Sequence, residues 1–359
     1  MAYSLFSLIC NMNVNMDTYK DKGLSGLANL GNTCFINACT QILSHTYELH
    51  AFLDKETYKQ KLKKDKPDSQ LLVEWDELRR LLWDKNCIVS PVKYLHTIQR
   101  VARAKGQVLF TGYAQNDASE FLLFLVDCFH SAIAREIHIT VTGQAENETD
   151  MLAQKCYDMV KQHYAKDYSE FWSMFYGIQV STVERKDNHK VLAVNPEPYF
   201  VINLSIPPNN STPTLLDCFD DYVEGETIPQ YMDEEAKESV SILKKVMFWS
   251  FPNVLVVDLK RFNARFQKNS IYIHFPLDDL DLSPYVVGYK RESYVYELYG
   301  VCNHSGGVSG GHYTAFVKNA NGTWYHFNDT SVAEVARPES IVTANAYVLF
   351  YRKKQKSSI

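Results

Sequence analysis

The 359-residue sequence has no C-x-x-C pair, no apolar run long enough to cross a membrane, no internal repeat and no low-complexity tract. Its eight cysteines, at positions 10, 34, 39, 87, 128, 156, 218 and 302, stand singly. Without paired thiols the usual structural zinc knuckle has no ligands. Scattered cysteines in a long chain point to a reducing compartment rather than a disulfide framework. We therefore expect no metal, no cofactor, and a site of action in the cytoplasm, the nucleus or both. The N-terminal MAYSLFSLIC is apolar but lacks a basic lead and a convincing cleavage site, so residues 1–22 read as an extension and not as a secretory signal. A strong excess of one charge is missing too. The net charge of −5 gives no electrostatic reason to expect nucleic-acid binding. No membrane span is expected, and the chain reads as a monomer. What is present is 46% hydrophobic and 13% aromatic content, ample for a large core.

The most organised stretch is GLANLGNTCFINACTQ, from Gly26 to Gln41. Gly26, Gly31, Asn29 and Asn32 are loop formers, and Phe35, Ile36, Ala38, Cys39, Ile42 and Leu43 follow at helical spacing. Cys34 is thus expected on the first turn of a helix, where unpaired N–H groups and the positive end of the dipole favour a thiolate. Asn29, five residues earlier, offers an amide to a developing oxyanion. A lone cysteine after a glycine loop is more commonly structural, so other features must agree before it is assigned as a nucleophile.

They do agree near the C-terminus. His312 follows the glycine-rich stretch Ser305 to Gly310 and precedes the apolar run Tyr313 to Val317. A turn at Asn319 to Gly322 and a second strand, Thr323 to Phe327, lead to Asn328 and Asp329. Paired as a hairpin, these strands bring His312 and Asn328 out at one end, where an amide or carboxylate can hold the imidazole. Cys, His and Asn or Asp far apart in sequence fit a triad assembled in space. Between them, Asp117 and Glu120 stand at i and i+3 on one helical face with Gln115 nearby, a set able to recognise cationic side chains. Coarsely, the chain is helix-rich from Gly23 to about Tyr168 and turns to strands and loops from Phe171 onward, with Gln144 to Asp150 as a polar break.

These residues carry a family resemblance. GLANLGNTCFIN resembles the cysteine box of the ubiquitin-specific proteases, and GGHYTAF with WYHFND resembles their histidine box. YAQNDASEFLLFLVD, FPNVLVVDLKRF and AYVLFYRK are similar to three further family segments in the family's order, so the likeness runs from about Gly23 to Lys353. It implies an α+β, papain-like cysteine protease fold with a thumb (about 23–170), fingers (about 171–248) and palm (about 249–353), and a tail at 354–359. It also implies a thiol-dependent enzyme that hydrolyses the isopeptide bond after the C-terminal Gly-Gly of ubiquitin, with ubiquitin and ubiquitinated proteins as partners. A protease for another ubiquitin-like modifier and a non-catalytic ubiquitin-binding scaffold are the other readings.

Within the resemblance, Cys34 attacks, His312 serves as base and then acid, and Asn29 with the Cys34 N–H stabilises the oxyanion. Asn328 orients His312, and Asp329 beside it is a second candidate for that role. Gln115, Asp117 and Glu120 would meet the Arg-rich substrate tail. Gly311 and Tyr313 would line a channel narrow enough for two glycines, with Ser305 to Gly310 as its gate. Many family members carry two C-x-x-C pairs at the fingertips, whereas STVERKDN (Ser181 to Asn188) and YMDEEA (Tyr231 to Ala236) contain no cysteine. The fingers are therefore expected to be held by packing alone.

Overall fold

The computed structural model describes residues 4–5, 14–208, 211–263, 265, 267–307 and 310–355. Helix α1 (Cys34–Ser44) is buried along its whole length, which is why its sequence carries almost no charge. Around it stand α2 (Tyr47–Leu53), α3 (Pro67–Asp84), α4 (Val92–Ala104) and α5 (Ala118–Ile133). Proline opens α3, where its missing N–H costs nothing. Helix α5 begins at Ala118, because Asp117 is extended and accepts the Glu120 N–H as an N-cap. The polar break at 144–150 proves to be the entrance to a further helix, α6 (Glu148–Tyr164), capped by Asn147 on the Asp150 N–H. Short helices α7 (Glu170–Phe175) and α8 (Leu215–Glu224) follow, the latter opened by a Thr214–Asp217 capping box.

Two sheets make up the strand-rich part. The larger runs in the order β15 (Ser331–Glu334), β14 (Trp324–Asn328), β13 (Gly310–Lys318), β12 (Val295–Gly307), β16 (Ala346–Lys353), β10 (Val254–Leu259), β7 (Val201–Leu204), with β11 (Leu280–Asp281) on β12. Strand β10 is buried at every position, as expected of a strand covered on both faces. Helix α1 lies on β12 and β13, and at Gly300 the approach is so close that a Cβ would stand 2.5 Å from Ile42. This contact brings the N-terminus of α1 to the β13–β14 hairpin. In the FPNVLVVDLKRF segment, Arg261 is fully buried and donates to the carbonyls of Ala346, Asn269 and Ile271, so its role is to tie down the chain beyond β10.

The smaller sheet has the order β6 (Val191–Tyr199), β5 (Gly177–Arg185), β9 (Glu238–Ser250), β8 (Glu226–Asp233). Pro196 and Pro198 on the edge strand β6 remove donors that would invite another chain to pair. Val201–Leu204, placed by sequence with the fingers, joins the larger sheet through parallel pairing with β10. Two-residue pairs complete the strands. β1 (Ser4–Leu5) meets β4 (Val141–Thr142), and β2 (Gly26–Leu27) meets β3 (Ile88–Val89). Half of the N-terminal extension, residues 1–3 and 6–13, lies outside the described residues. Its end is tied to the β13–β14 turn, where Asn319 Nδ2 donates to the Lys22 carbonyl at 2.8 Å.

The expectation that packing alone holds the fingertips is corrected. Arg185 joins the two turns there: its guanidinium reaches Asp187 at 2.6 Å in one, and Asp233 at 3.1 Å and Glu238 at 2.8 Å beside the other. Asp233 also accepts the main-chain N–H groups of Glu235 and Ala236. One arginine fork answered by three carboxylates is a network rather than an isolated surface pair, which is where ion pairing contributes. Among the described residues no group of three or more His, Cys, Asp or Glu side chains is arranged to hold a metal.

Candidate active site

The loop leading into α1 is built on Asn29. Its Oδ1 accepts the N–H groups of Gly31 and Thr33, both at 3.1 Å, folding the loop back on itself. Its Nδ2 donates to Asp329 Oδ2 at 3.0 Å, which leaves the amide's second proton free. Asn32 fastens the same loop to the Tyr113 carbonyl at 2.9 Å. Asp329 follows β14 in a left-handed conformation, φ 49°, that lets it turn its carboxylate toward α1. There Oδ1 accepts from Asn37 Nδ2 at 2.8 Å, while the Asp329 carbonyl accepts the Leu27 N–H at 2.8 Å.

Cys34 heads α1 and is 2% exposed. The main-chain N–H groups of Tyr313, Phe35 and Cys34 itself lie near the sulfur and favour its anion. Burial outweighs them, and the charge of Asp329 adds to it, so the thiol is pushed up from its ordinary value. The expectation of a thiolate set by the helix terminus alone is thereby corrected, because desolvation is the larger effect.

The hairpin read from sequence forms as expected, with Ala315 opposite Phe327 and Lys318 opposite Trp324. At its open end His312 Nε2 donates to Asn328 Oδ1 at 2.7 Å. That bond fixes the tautomer and leaves Nδ1 unprotonated. Asp329 does not share this task. Its carboxylate is taken by Asn29 and Asn37. No hydrogen bond joins Cys34 to His312 in this state, but the main chain of Tyr313, the residue next to His312, lies near the Cys34 sulfur.

Gln115 spans the cleft: Nε2 donates to the Gly311 carbonyl at 2.5 Å and Oε1 accepts the Gly311 N–H at 3.0 Å. Asp117 faces inward, capping α5 through Oδ1 and accepting the Tyr347 hydroxyl on Oδ2. Glu120 is exposed at the cleft side of the same turn. Tyr313 is buried, its ring 4.6 Å from that of His304 and 6.3 Å from Tyr347. Of the gate expected at 305–310, residues 308 and 309 lie outside the described residues.

Sequence reasoning missed Asn37, Tyr347 and Asp258. Asn37 had a signal: with Thr40, Gln41 and Ser44 it forms a polar stripe at helical spacing on a helix buried throughout. Asp258 lies buried in β10, and burial, reinforced by the charge of Asp117, pushes its carboxyl up to about 7. Its value when unfolded is near 3.8, so between those values the folded state holds a proton that the unfolded state has released. Stability is then lost as pH rises through that window. Asp258→Asn is expected to raise the melting temperature at pH 8, by the equivalent of up to about 4 kcal/mol, with no gain near pH 4. A gain of equal size at both pH values would show that Asp258 is not the titrating group.

Residues 25–351 match the protein family described as ubiquitin carboxyl-terminal hydrolase. The chain belongs to that family. Among its curated relatives, ubiquitin carboxyl-terminal hydrolase 2 of Bos taurus is 33% identical over 354 residues, spanning 94% of this chain and 56% of the relative. Ubiquitin carboxyl-terminal hydrolase Usp2 of Drosophila melanogaster is 33% identical over 346 residues, spanning 93% of this chain and 35% of the relative. The chain thus spans about half the length, or less, of these two relatives. Among solved structures, the SAGA Ubp8/Sgf11/Sus1/Sgf73 DUB module bound to ubiquitin aldehyde superposes with a TM-score of 0.71 at 24% identity, over 96% of this chain and 72% of that one. Such a likeness bears on the fold, and it agrees with the mixed α+β, papain-like architecture of the ubiquitin-specific proteases inferred from the motifs.

Proposed function

We propose that this ubiquitin carboxyl-terminal hydrolase is a thiol isopeptidase that releases ubiquitin from lysine side chains. The observation that carries the reading is the His312–Asn328 pair on β13 and β14 beside Cys34 at the head of α1, in a chain of this family. The ubiquitin aldehyde held by the structural neighbour supports ubiquitin as the partner. Free thiols at seven described cysteines suit a reducing compartment, and we place its work in the cytosol or nucleus.

In this reading the ubiquitin tail brings its terminal glycine carbonyl to Cys34. His312 Nδ1 takes the thiol proton as sulfur bonds to the carbonyl carbon, so the raised thiol is ionised only in the presence of substrate. The negative charge on oxygen is met by the Cys34 N–H and by the free proton of Asn29 Nδ2, contacts worth roughly 3 kcal/mol each. The intermediate collapses when the C–N bond breaks and His312 returns the proton to the lysine amine. Water, deprotonated by His312, then cleaves the thioester and frees both ubiquitin and Cys34.

Ubiquitin bearing an electrophile in place of its terminal carboxylate is expected to label the protein stoichiometrically, at Cys34 by peptide mapping. Labelling only by an equivalent probe of another ubiquitin-like modifier would change the substrate. Ubiquitin binding with no adduct at all would make the protein a scaffold.

A further inference from the structure

One strand edge serves three customers in succession. Strand β13 pairs with β12 along its whole length, Gly311 lying opposite Gly306, but pairs with β14 only from Ala315 onward. Alternate residues of a strand turn their outward main-chain groups to the same side. On that side Ala315 meets β14, the Tyr313 N–H lies near the Cys34 sulfur, and the N–H and carbonyl of Gly311 meet Gln115.

Among the described residues, the stretch of this edge left open to a visiting chain runs from Cys34 toward Gly311, because β14 fills the other direction. Gly311 presents its backbone bare. A Cβ there would collide with the His304 ring and the Ser305 carbonyl, so the strand is pressed onto His304 and only peptide groups look into the cleft. A primary amide that donates to a carbonyl and accepts from the N–H of the same residue copies what one peptide group of an added strand would do.

We propose that Gln115 is an internal stand-in for the substrate tail, a clasp that closes the cleft in the resting enzyme and is exchanged, bond for bond, for the backbone of the incoming tail. This rests on the reading of the site as a ubiquitin isopeptidase. With its scissile carbonyl at Cys34, an extended tail lies alongside Gly311 two residues up the strand, about 7 Å away, and pairs with the N–H and carbonyl that Gln115 now holds. The near-total burial of Cys34 is the other side of the same closure: the thiol is shielded until a tail takes the clasp's place.

The test uses the full chain and chloroacetamide, a small neutral alkylator that needs no ubiquitin. Gln115 is exposed and its removal leaves the fold intact, as a melting curve will verify. Gln115→Ala is expected to be alkylated at Cys34 roughly five- to tenfold faster than the parent, the worth of about one net hydrogen bond. The ubiquitin electrophile should label the variant faster as well. Gln115→Glu, whose carboxylate accepts from the Gly311 N–H but cannot donate to its carbonyl, should fall between. Unchanged or slower alkylation of Gln115→Ala overturns the clasp. So does slower probe labelling with no gain in alkylation, which would make Gln115 a plain tail contact. Faster alkylation in a protein that no ubiquitin probe labels would leave the clasp standing and remove the isopeptidase reading.

Discussion

Cys34→Ser is expected to lower turnover of a ubiquitin-derived fluorogenic substrate by at least about 10³-fold, since loss of the nucleophile from a unit of cooperating groups removes most of what the unit does. The physical reason lies in the position itself. Burial already pushes the Cys34 thiol up, and a hydroxyl in the same dry place is far harder to ionise. His312 held by Asn328 can take a proton from sulfur but not readily from oxygen. Ubiquitin affinity, measured by titration calorimetry, should stay within about threefold of the parent, the scatter of a peripheral contact. Turnover within tenfold of the parent would remove Cys34 from its assignment. A large loss of affinity alongside lost turnover would show that the residue supports the cleft rather than the chemistry.

Asn328→Ala and Asp329→Ala are both expected to cut kcat, on the order of 10²-fold each, but through different partners, and conservative replacements expose the difference. Asn328 needs only to accept from His312 Nε2, so Asn328→Asp should keep most of the activity. Asp329 accepts from two amides, Asn29 and Asn37. Asp329→Asn turns an NH₂ group toward one of those donors and should be nearly as damaging as alanine. A double-mutant cycle tests the grouping. Asn29→Ala should add little to Asp329→Ala, because both disturb the oxyanion loop, whereas it should multiply the loss of Asn328→Ala. The reverse pattern, with Asp329 coupled to His312 and Asn29 indifferent to it, would restore Asp329 as the imidazole's partner.

Much of this site was legible because its parts are local. The loop before Cys34 and the hairpin carrying His312 and Asn328 are written in turn residues and strand alternation within short windows, and both form where the pattern puts them. The role of Asp329 was not legible. It depends on a left-handed turn and on a partner, Asn29, 300 positions away, and sequence offers no term for either. The Gln115 clasp is hidden for the same reason, joining residues 196 apart. Helix α6 escaped notice because few of its seventeen residues are buried, so its apolar stripe is thin and its capping Asn147 sits in a run that reads as a linker. The raised thiol of Cys34 follows from how deeply the tertiary fold encloses it. A helix-terminus argument works from one element and cannot see that enclosure.

The Arg185 network at the fingertips changes what the outside world can do to this protein. Where a knuckle of thiolates and metal closes such a tip, oxidants and chelators are the agents that open it. Here the closing groups are a guanidinium and three carboxylates, none of which is oxidised or extracted. Their attraction is weakened instead by dissolved ions, whose screening length falls to about 3 Å at 1 M salt. The closure of these fingertips is therefore coupled to ionic strength rather than to thiol oxidation or chelation.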